Sequence, residues 1–218
     1  MRKWLIGLLV LALIAPVLVR ASDTDDLIAK VRARYGKAKD FTADFEQVTM
    51  LVQLGGQKKT ATGTLAIARP NKMHWVFKTP TKKEIISDGS SLAIYYVEEK
   101  KVYLTSTQGM FDIAMPVRIL HGEINVNDVF TPELLPDADG RARLKLTPKK
   151  PAGYKYMIIH WSREKSLVEI LESEDAYGNR TLLTLSNQKF NVGLPDSYFS
   201  FTPTPDVQII DAPMMDFR

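Results

Sequence analysis

Three histidines and a group of acidic residues have the side chains that catalysis or metal binding would need. His74, His121 and His160 lie far apart and form neither an HxxxH nor an HExxH pattern, so their spacing argues against a zinc site. The sequence also lacks cysteine, a GxSxG motif and a glycine-rich phosphate loop, and so offers no recognisable nucleophile or nucleotide site. We therefore expect no metal and no cofactor.

Carboxylates near the end of one predicted strand are the remaining candidates for acid–base chemistry. Glu172, Glu174 and Asp175 could act as a general acid and a general base. Their alternate spacing, however, is more typical of a solvated face of a sheet. Because no set of residues indicates an active site, we predict that the protein is not an enzyme.

Large apolar side chains recur at every second position in the first half of the chain, which places them on one face of consecutive strands. These residues are Leu65, Ile67, Met73, Trp75, Phe77, Leu92, Ile94 and Tyr96. A Met-rich apolar segment follows, containing Ile113, Met115 and Ile119, and methionine adapts well to irregular contents. The pattern fits either an ordinary core or the wall of a cavity for an apolar ligand.

The elements that must position these side chains are one helix and many strands. Residues 23–36 have N-cap residues, helical apolar spacing and a closing glycine. Turn signals then recur as in an antiparallel meander, whereas residues 109–136 lose the alternation and are predicted to form helices and loops. About ten or eleven strands are too many for a flat sheet. We predict a mainly β fold with an α-helical lid: an open, strongly curved antiparallel half-barrel covered by short helices around a hydrophobic cavity.

The first 21 residues have the features of a secretory signal peptide. Arg2 and Lys3 precede an apolar run that ends at Val19-Arg20-Ala21, and this run is shorter than the roughly 20 residues of a spanning helix. We expect cleavage after Ala21 and one soluble periplasmic domain at 22–218; an uncleaved N-terminal anchor is the alternative. The absence of cysteine excludes a lipoprotein signal, and stability must come from the core without disulfides.

Removal of the signal peptide would lower the net charge of the chain from +4 to +1. Of 29 basic residues, Arg2, Lys3 and Arg20 would leave, so that 26 face 25 acidic residues. This balance argues against nucleic-acid binding. Basic pairs remain at 58–59, 82–83, 100–101 and 149–150. These pairs fit solvated hairpin ends, where lysine increases solubility. They also fit a basic patch that binds anionic lipid headgroups or an acidic partner.

Four blocks of the sequence resemble the outer-membrane lipoprotein carrier family, and they occur in the family's order. They are Phe41-Thr42-Ala43-Asp44-Phe45-Glu46-Gln47, the stretch from Gly63 to Trp75 that contains Arg69-Pro70, Ile86-Ser87-Asp88-Gly89 with Leu92 and Tyr95, and Phe199-Ser200-Phe201-Thr202-Pro203 with 206–210. The chain departs from the family at Met73, where an aromatic residue is usual, and at Ala93, where tryptophan is common. The tail 211–218 has no counterpart.

The resemblance implies an open antiparallel barrel lidded by short helices, acting as a monomeric shuttle for lipoprotein acyl chains. Its partners would be an inner-membrane ATP-driven lipoprotein-releasing complex and an outer-membrane lipoprotein receptor. The resemblance also implies that Arg69, the arginine before proline, ties the lid closed by hydrogen bonds, here predicted to lie within 109–120. The apolar residues named above would then line the acyl-chain cavity. A carrier of a free lipid or glycolipid on the same fold, or a periplasmic sensor, are the alternatives.

Overall fold

The computed structural model describes residues 21–106, 115 and 118–211; residues 1–20 of the predicted signal peptide and Ile113 lie outside them. The helices include α1 (Ala21–Tyr35) and the one-turn α2 (Val126–Val129), with 3-10 turns at Val52–Leu54 and Asp196–Phe199; Met115 and residues 118–120 are helical as well. The first six strands are β1 (Asp40–Leu51), β2 (Gln57–Ala68), β3 (Lys72–Thr79), β4 (Lys83–Ser87), β5 (Ser91–Tyr96) and β6 (Lys101–Ser106). The other six are β7 (Phe130–Ala138), β8 (Arg141–Pro148), β9 (Tyr154–Ser162), β10 (Leu167–Asp175), β11 (Arg180–Phe190) and β12 (Gln208–Asp211).

The strands form one sheet in the order β12-β6-β5-β4-β3-β2-β1-β11-β10-β9-β8-β7. Its pairs are antiparallel except for β12 with β6. Among the described strands, β12 and β7 are the two edges and do not pair with each other, so the barrel is open as predicted. Within the same part of the chain, no helix is long and apolar enough to cross a bilayer.

The sheet is strongly curved, because strands distant in its order line one cavity. Trp75 and Phe77 of β3 share this cavity with Met157 of β9 and Leu171 of β10. In the sheet order β3 and β9 are five strand steps apart, or about 24 Å at ~4.8 Å per step. A flat sheet could not bring these side chains together, so its two halves must face each other.

Helix α1 lies on the concave face of the second half of the sheet. Leu27, Val31 and Tyr35 follow the predicted helical spacing and are almost fully buried. The Tyr35 hydroxyl accepts a hydrogen bond from the Val168 N–H at 2.9 Å and donates to Oε1 of Gln188 at 2.6 Å. The helix therefore provides part of the predicted cover over the open side.

The prediction of helices and loops for 109–136 is wrong at its C-terminal end. After α2, the chain forms strand β7, and the described residues contain twelve strands where ten or eleven were expected. Pro132 and Pro136 obscured this strand, because proline cannot donate to a sheet ladder. An edge strand tolerates them, and β7 is an edge.

The C-terminal residues 191–211, here called the outer strap, cross the convex face of β2–β5 and end in β12. At its start, the Asp40 carboxylate accepts hydrogen bonds from the N–H groups of Val192, Gly193 and Leu194 at 2.5, 3.0 and 3.2 Å. Phe199 is buried against Ala66 and Ala68 of β2. A fully packed outer face explains why the end of β2 is buried on both sides.

Candidate ligand cavity

An apolar cavity of about 360 Å³ lies inside the curved sheet. Its apolar wall consists of Trp75, Phe77, Ile85, Tyr154, Met157, Leu171 and Leu183, contributed by both halves of the molecule. Gln47, Lys83, Glu172, Ser173, Asp175 and Thr181 add polar atoms. This volume and composition are typical of a site for a small apolar ligand or part of a larger one.

The rings of Trp75 and Phe77 line one side of the cavity, and the ring of Phe45 packs against both of them. Phe45 lies 5.1 Å from Trp75 and 5.0 Å from Phe77 between ring centroids, in tilted and edge-on arrangements. Gly63 makes this packing possible, since a Cβ atom there would lie 2.8 Å from the Phe45 ring. The indole N–H of Trp75 is buried without a hydrogen-bond partner in the described part of the chain. This side of the cavity is therefore mainly aromatic carbon, with one indole N–H that has no partner among the described residues.

A wider groove of about 710 Å³ continues from the cavity toward solvent. Gln47, Phe77 and Lys83 line both spaces, so the two are adjoining parts of one depression. The groove is completed by Thr49, Lys59, Thr60, Ala61, Thr79, Pro80, Thr81 and Tyr96. It opens at the end of the strands where the β1–β2 and β3–β4 connections lie. We call this end the mouth.

Arg69 contacts a segment that crosses the concave face, at the opposite end of the strands. Its guanidinium donates a hydrogen bond to the main-chain oxygen of His121. We call Met115 and residues 118–124 the inner segment; its Met115, Ile119 and Leu120 belong to the same apolar cluster as α1 and the concave face. The contact is one residue beyond the predicted range of 109–120. Whether it acts as a latch stays a prediction.

His121 is buried in this contact region and is held neutral. Its ring lies 6.0 Å from the Phe41 ring, and its nitrogens have no hydrogen-bond partner among the described residues. Burial, and secondarily the positive charge of Arg69, lowers the pKa of His121 to about 4. Glu123 Oε1 is 3.5 Å from Nδ1, which is beyond good hydrogen-bonding geometry. The histidine thus contributes its ring to the core and its carbonyl to Arg69.

The predicted wall residues fall into two groups. Trp75 and Phe77 line the cavity, and Phe77 and Tyr96 line the groove. Leu65, Ile67, Met73, Leu92, Ile94, Met115 and Ile119 are instead buried in the apolar cluster that continues from the cavity beneath α1 and the inner segment. Ile113 lies outside the described residues. In this closed arrangement the second group is core, and its contact with a ligand is untested.

The wall residues of the second half were not identified from the sequence. Tyr154, Met157, Leu171 and Leu183 lie on strands that the turn pattern did predict. Their apolar alternation could have marked the same face, but only the bend of the sheet brings that face opposite Trp75.

The architecture is that of an open β half-barrel with an apolar interior and a helical cover. The family model for the outer membrane lipoprotein carrier protein LolA matches residues 36–202. Two proteins named outer-membrane lipoprotein carrier protein are similar in sequence. One, from Bordetella avium, is 31% identical over 202 residues, covering 90% of this chain and 91% of its own. The other, from Chromobacterium violaceum, is 30% identical over 186 residues, covering 84% and 86%.

A solved structure of an uncharacterized conserved protein from Thermus thermophilus shares the fold. Its TM-score is 0.56 at 10% identity, over 87% of this chain and 99% of that one. The family match and the two relatives show that this chain belongs to the outer-membrane lipoprotein carrier family, a family of carriers rather than of enzymes.

Proposed function

We propose that this protein shelters the acyl chains of lipoproteins and shuttles them through the periplasm from the inner to the outer membrane. The observation that supports this most directly is the apolar cavity that continues into an open groove. Three acyl chains contain on the order of 45 methylenes, and exposing them to water would cost roughly 36 kcal/mol at ~0.8 kcal/mol each. Such cargo needs a sheltered site to cross an aqueous space.

The closed cavity is too small for the whole of this cargo. At about 30 Å³ for each methylene-sized group, the 360 Å³ cavity holds about twelve groups, and the cavity and the 710 Å³ groove together hold about 36, fewer than the roughly 45 methylenes of three acyl chains. Loading therefore requires the inner segment to move away from the concave face. Leu65, Ile67 and Leu92, now buried beneath it, would then become wall, as the sequence pattern predicts.

Arg69 is suited to control this movement. Its bond to the carbonyl of His121 ties the inner segment to the end of β2, and a charged donor contributes about 1.5–3 kcal/mol. A contact of this strength favours the closed form but yields when acyl chains replace it. Because closure competes with cargo, it also helps delivery to a receptor that binds the acyl chains more tightly.

The complete cycle has steps that this chain does not perform. Extraction of lipoprotein from a bilayer needs an energy source, so we infer an inner-membrane ATP-driven releasing complex as donor and an outer-membrane receptor as acceptor. Export after removal of residues 1–21 would place a soluble monomer between them. The family membership and the lipoprotein carrier relatives support this route.

Native mass spectrometry of protein purified from the periplasm tests the proposal. We expect bound triacylated lipoprotein, lost when Trp75 in the cavity wall is replaced by glutamate. Recovery of free lipid alone would instead support the second candidate, a carrier of free lipid or glycolipid. The observation that favours this candidate is the pair of lysines that line the groove, Lys59 and Lys83, because they could bind an anionic lipid headgroup.

A further inference from the structure

Lys83 occupies an unusual position at the mouth. It begins strand β4, lines both the cavity and the groove, and is half-buried. Its ammonium lies 4.6 Å from the centroid of the Phe77 ring. The ammonium therefore lies over an aromatic ring on one side. On its other side it faces the opening through which a ligand would enter.

Within residues 21–106, 115 and 118–211, no carboxylate lies within ion-pair distance of Lys83, and burial lowers its pKa. Neighbouring lysines of the basic pairs do have partners: Lys82 is 3.7 Å from Glu98 and Lys100 is 2.7 Å from Asp206. A half-buried ammonium without an anion is unfavourable. Lys83 is thus an available cation in a largely apolar site.

The carboxylates across the cavity lie beside other groups. Glu172 is 3.4 Å from Nε2 of His160. Asp175 accepts from the N–H groups of Tyr177 and Asn179 at 2.8 and 2.9 Å and closes the β10–β11 turn. Neither acid lies within ion-pair distance of Lys83, so in the described part of the chain the ammonium has no carboxylate partner that an anionic ligand would have to displace.

Lys59 provides a second cation at the same opening. It lines the groove from β2, two residues before Ala61, which also lines it. Lys59 is exposed and forms no ion pair with the described residues. Its neighbour Lys58 has the same charge and exposure but projects to the other face of β2, because side chains alternate along a strand.

We propose that Lys83 and Lys59 form an anion subsite at the mouth, which binds a phosphate or carboxylate group attached close to the acyl chains of the ligand. The inference rests on the proposed function, because the cavity must hold the acyl chains for the mouth to meet their polar end. Charge-assisted hydrogen bonds from the two ammonium groups select an anionic ligand over a neutral one with the same chain. An acidic phospholipid, or an acidic side chain beside the lipidated cysteine of a lipoprotein, would supply this chemistry.

Competition between two matched lipids tests the subsite. Lysophosphatidylglycerol and monoacylglycerol with the same acyl chain displace a neutral fluorescent apolar probe from the purified protein at low salt. We expect about tenfold tighter binding of the phosphate-bearing lipid, as one charge-assisted bond would give, and a ratio that falls as salt is added. Equal affinities would overturn the subsite, whereas failure of both lipids to displace the probe would overturn the proposed carrier function as well.

Variants assign the selectivity to the two lysines. Lys83→Met keeps the unbranched stem over Phe77, and Lys59→Gln is a surface change; each should lower the ratio, while Lys58→Gln on the opposite face should preserve it. Monoacylglycerol should still displace the probe from all three variants, which shows that each keeps a cavity, and the ratio of the two affinities then reports the subsite. A ratio that survives in both Lys83→Met and Lys59→Gln contradicts the proposal.

Lipopeptides distinguish the two sources of the anion. Triacylated cysteine peptides that differ only in glutamate or glutamine near the cysteine are compared in the same assay. Lys83-dependent preference for the glutamate peptide identifies lipoprotein as the source. Preference confined to lysophosphatidylglycerol identifies acidic phospholipid.

Discussion

The ring of Phe45 fills the space that a side chain at Gly63 would need. A Cβ atom at position 63 would lie 2.8 Å from two carbons of this ring and 2.0 Å from the main-chain oxygen of Val76. Phe45 in turn packs against both cavity rings, Trp75 and Phe77. The packing of the two cavity rings on β3 therefore requires a glycine at position 63 of β2.

Replacing Gly63 with alanine should destabilise the protein by about 2 kcal/mol or more, because the wall is overpacked and a main-chain contact must shift. Chemical denaturation measures this loss, and Thr60→Ala on the same strand is the control with little expected change. Unchanged stability of Gly63→Ala would mean that the Phe45 ring has room to move aside.

Trp75→Glu should abolish binding of a fluorescent fatty acid while circular dichroism still reports a β-rich fold. A carboxylate on the cavity wall is costly to bury and repels acyl chains. Lys78→Glu, at the exposed end of β3, introduces the same charge outside the cavity and should leave binding intact. If Trp75→Glu unfolds, Trp75 is core rather than wall.

Arg69→Leu should leave the fold intact, bind hydrophobic cargo more tightly and transfer it poorly to outer-membrane vesicles. The loss of the bond to His121 removes the closed form's advantage, so closure no longer competes with the ligand. Arg69→Lys should restore transfer only in part, since lysine lacks the planar fork of donors. Loading and unloading of Arg69→Leu at the wild-type rates would show that this contact is no latch.

Stability should fall as the pH drops from about 6.5 to about 4. The pKa of His121 is lower in the folded than in the unfolded protein, so the unfolded state binds a proton first. Neutral His121 therefore makes its full contribution to the free energy of unfolding above pH 6.5. This contribution, about 3 kcal/mol, is lost by the time the pH reaches about 4. The dependence of the denaturation midpoint on pH across this range should be weaker in His121→Phe than in the wild type. Burial also lowers the pKa of His160, so a smaller slope should remain.

Cleavage should occur between Ala21 and Ser22 and release the chain from the membrane. The Val19-Arg20-Ala21 ending and the lack of cysteine are the reasons for this expectation. N-terminal sequencing of the periplasmic fraction measures it directly. An intact Met1 in the membrane pellet would contradict it.

Local patterns were enough to predict most strands, the helix at 23–36 and the apolar face that bears Trp75 and Phe77. Each of these depends on side-chain spacing within about ten residues. The pairing of this face with Met157 and Leu171 depends on a bend accumulated over five strand steps, which no local window contains. The His121 partner of Arg69 likewise depends on the path of a segment 52 positions away.

The convex face was harder to anticipate than the concave one. Ala66, Ala68 and Ala93 are buried although they point away from the cavity, because the outer strap packs over them. Small side chains at these alternate positions were compatible with a solvated surface as well as with a covered one. Only the long-range contacts of Phe199 and Phe201 with these strands distinguish the two.

The outer strap also determines which part of the molecule can change its size. It is fastened at one end through Asp40 and at the other by β12 and the Lys100–Asp206 ion pair, with Phe199 wedged against the sheet between them. Because the strap lies on the convex face, tighter curling of β2–β5 would stretch this fixed length of chain over a longer arc and break its anchors. The covered half of the sheet is therefore held against inward curling, so this wall cannot narrow the cavity when cargo leaves, and we expect the change in volume to come from movement of the inner segment.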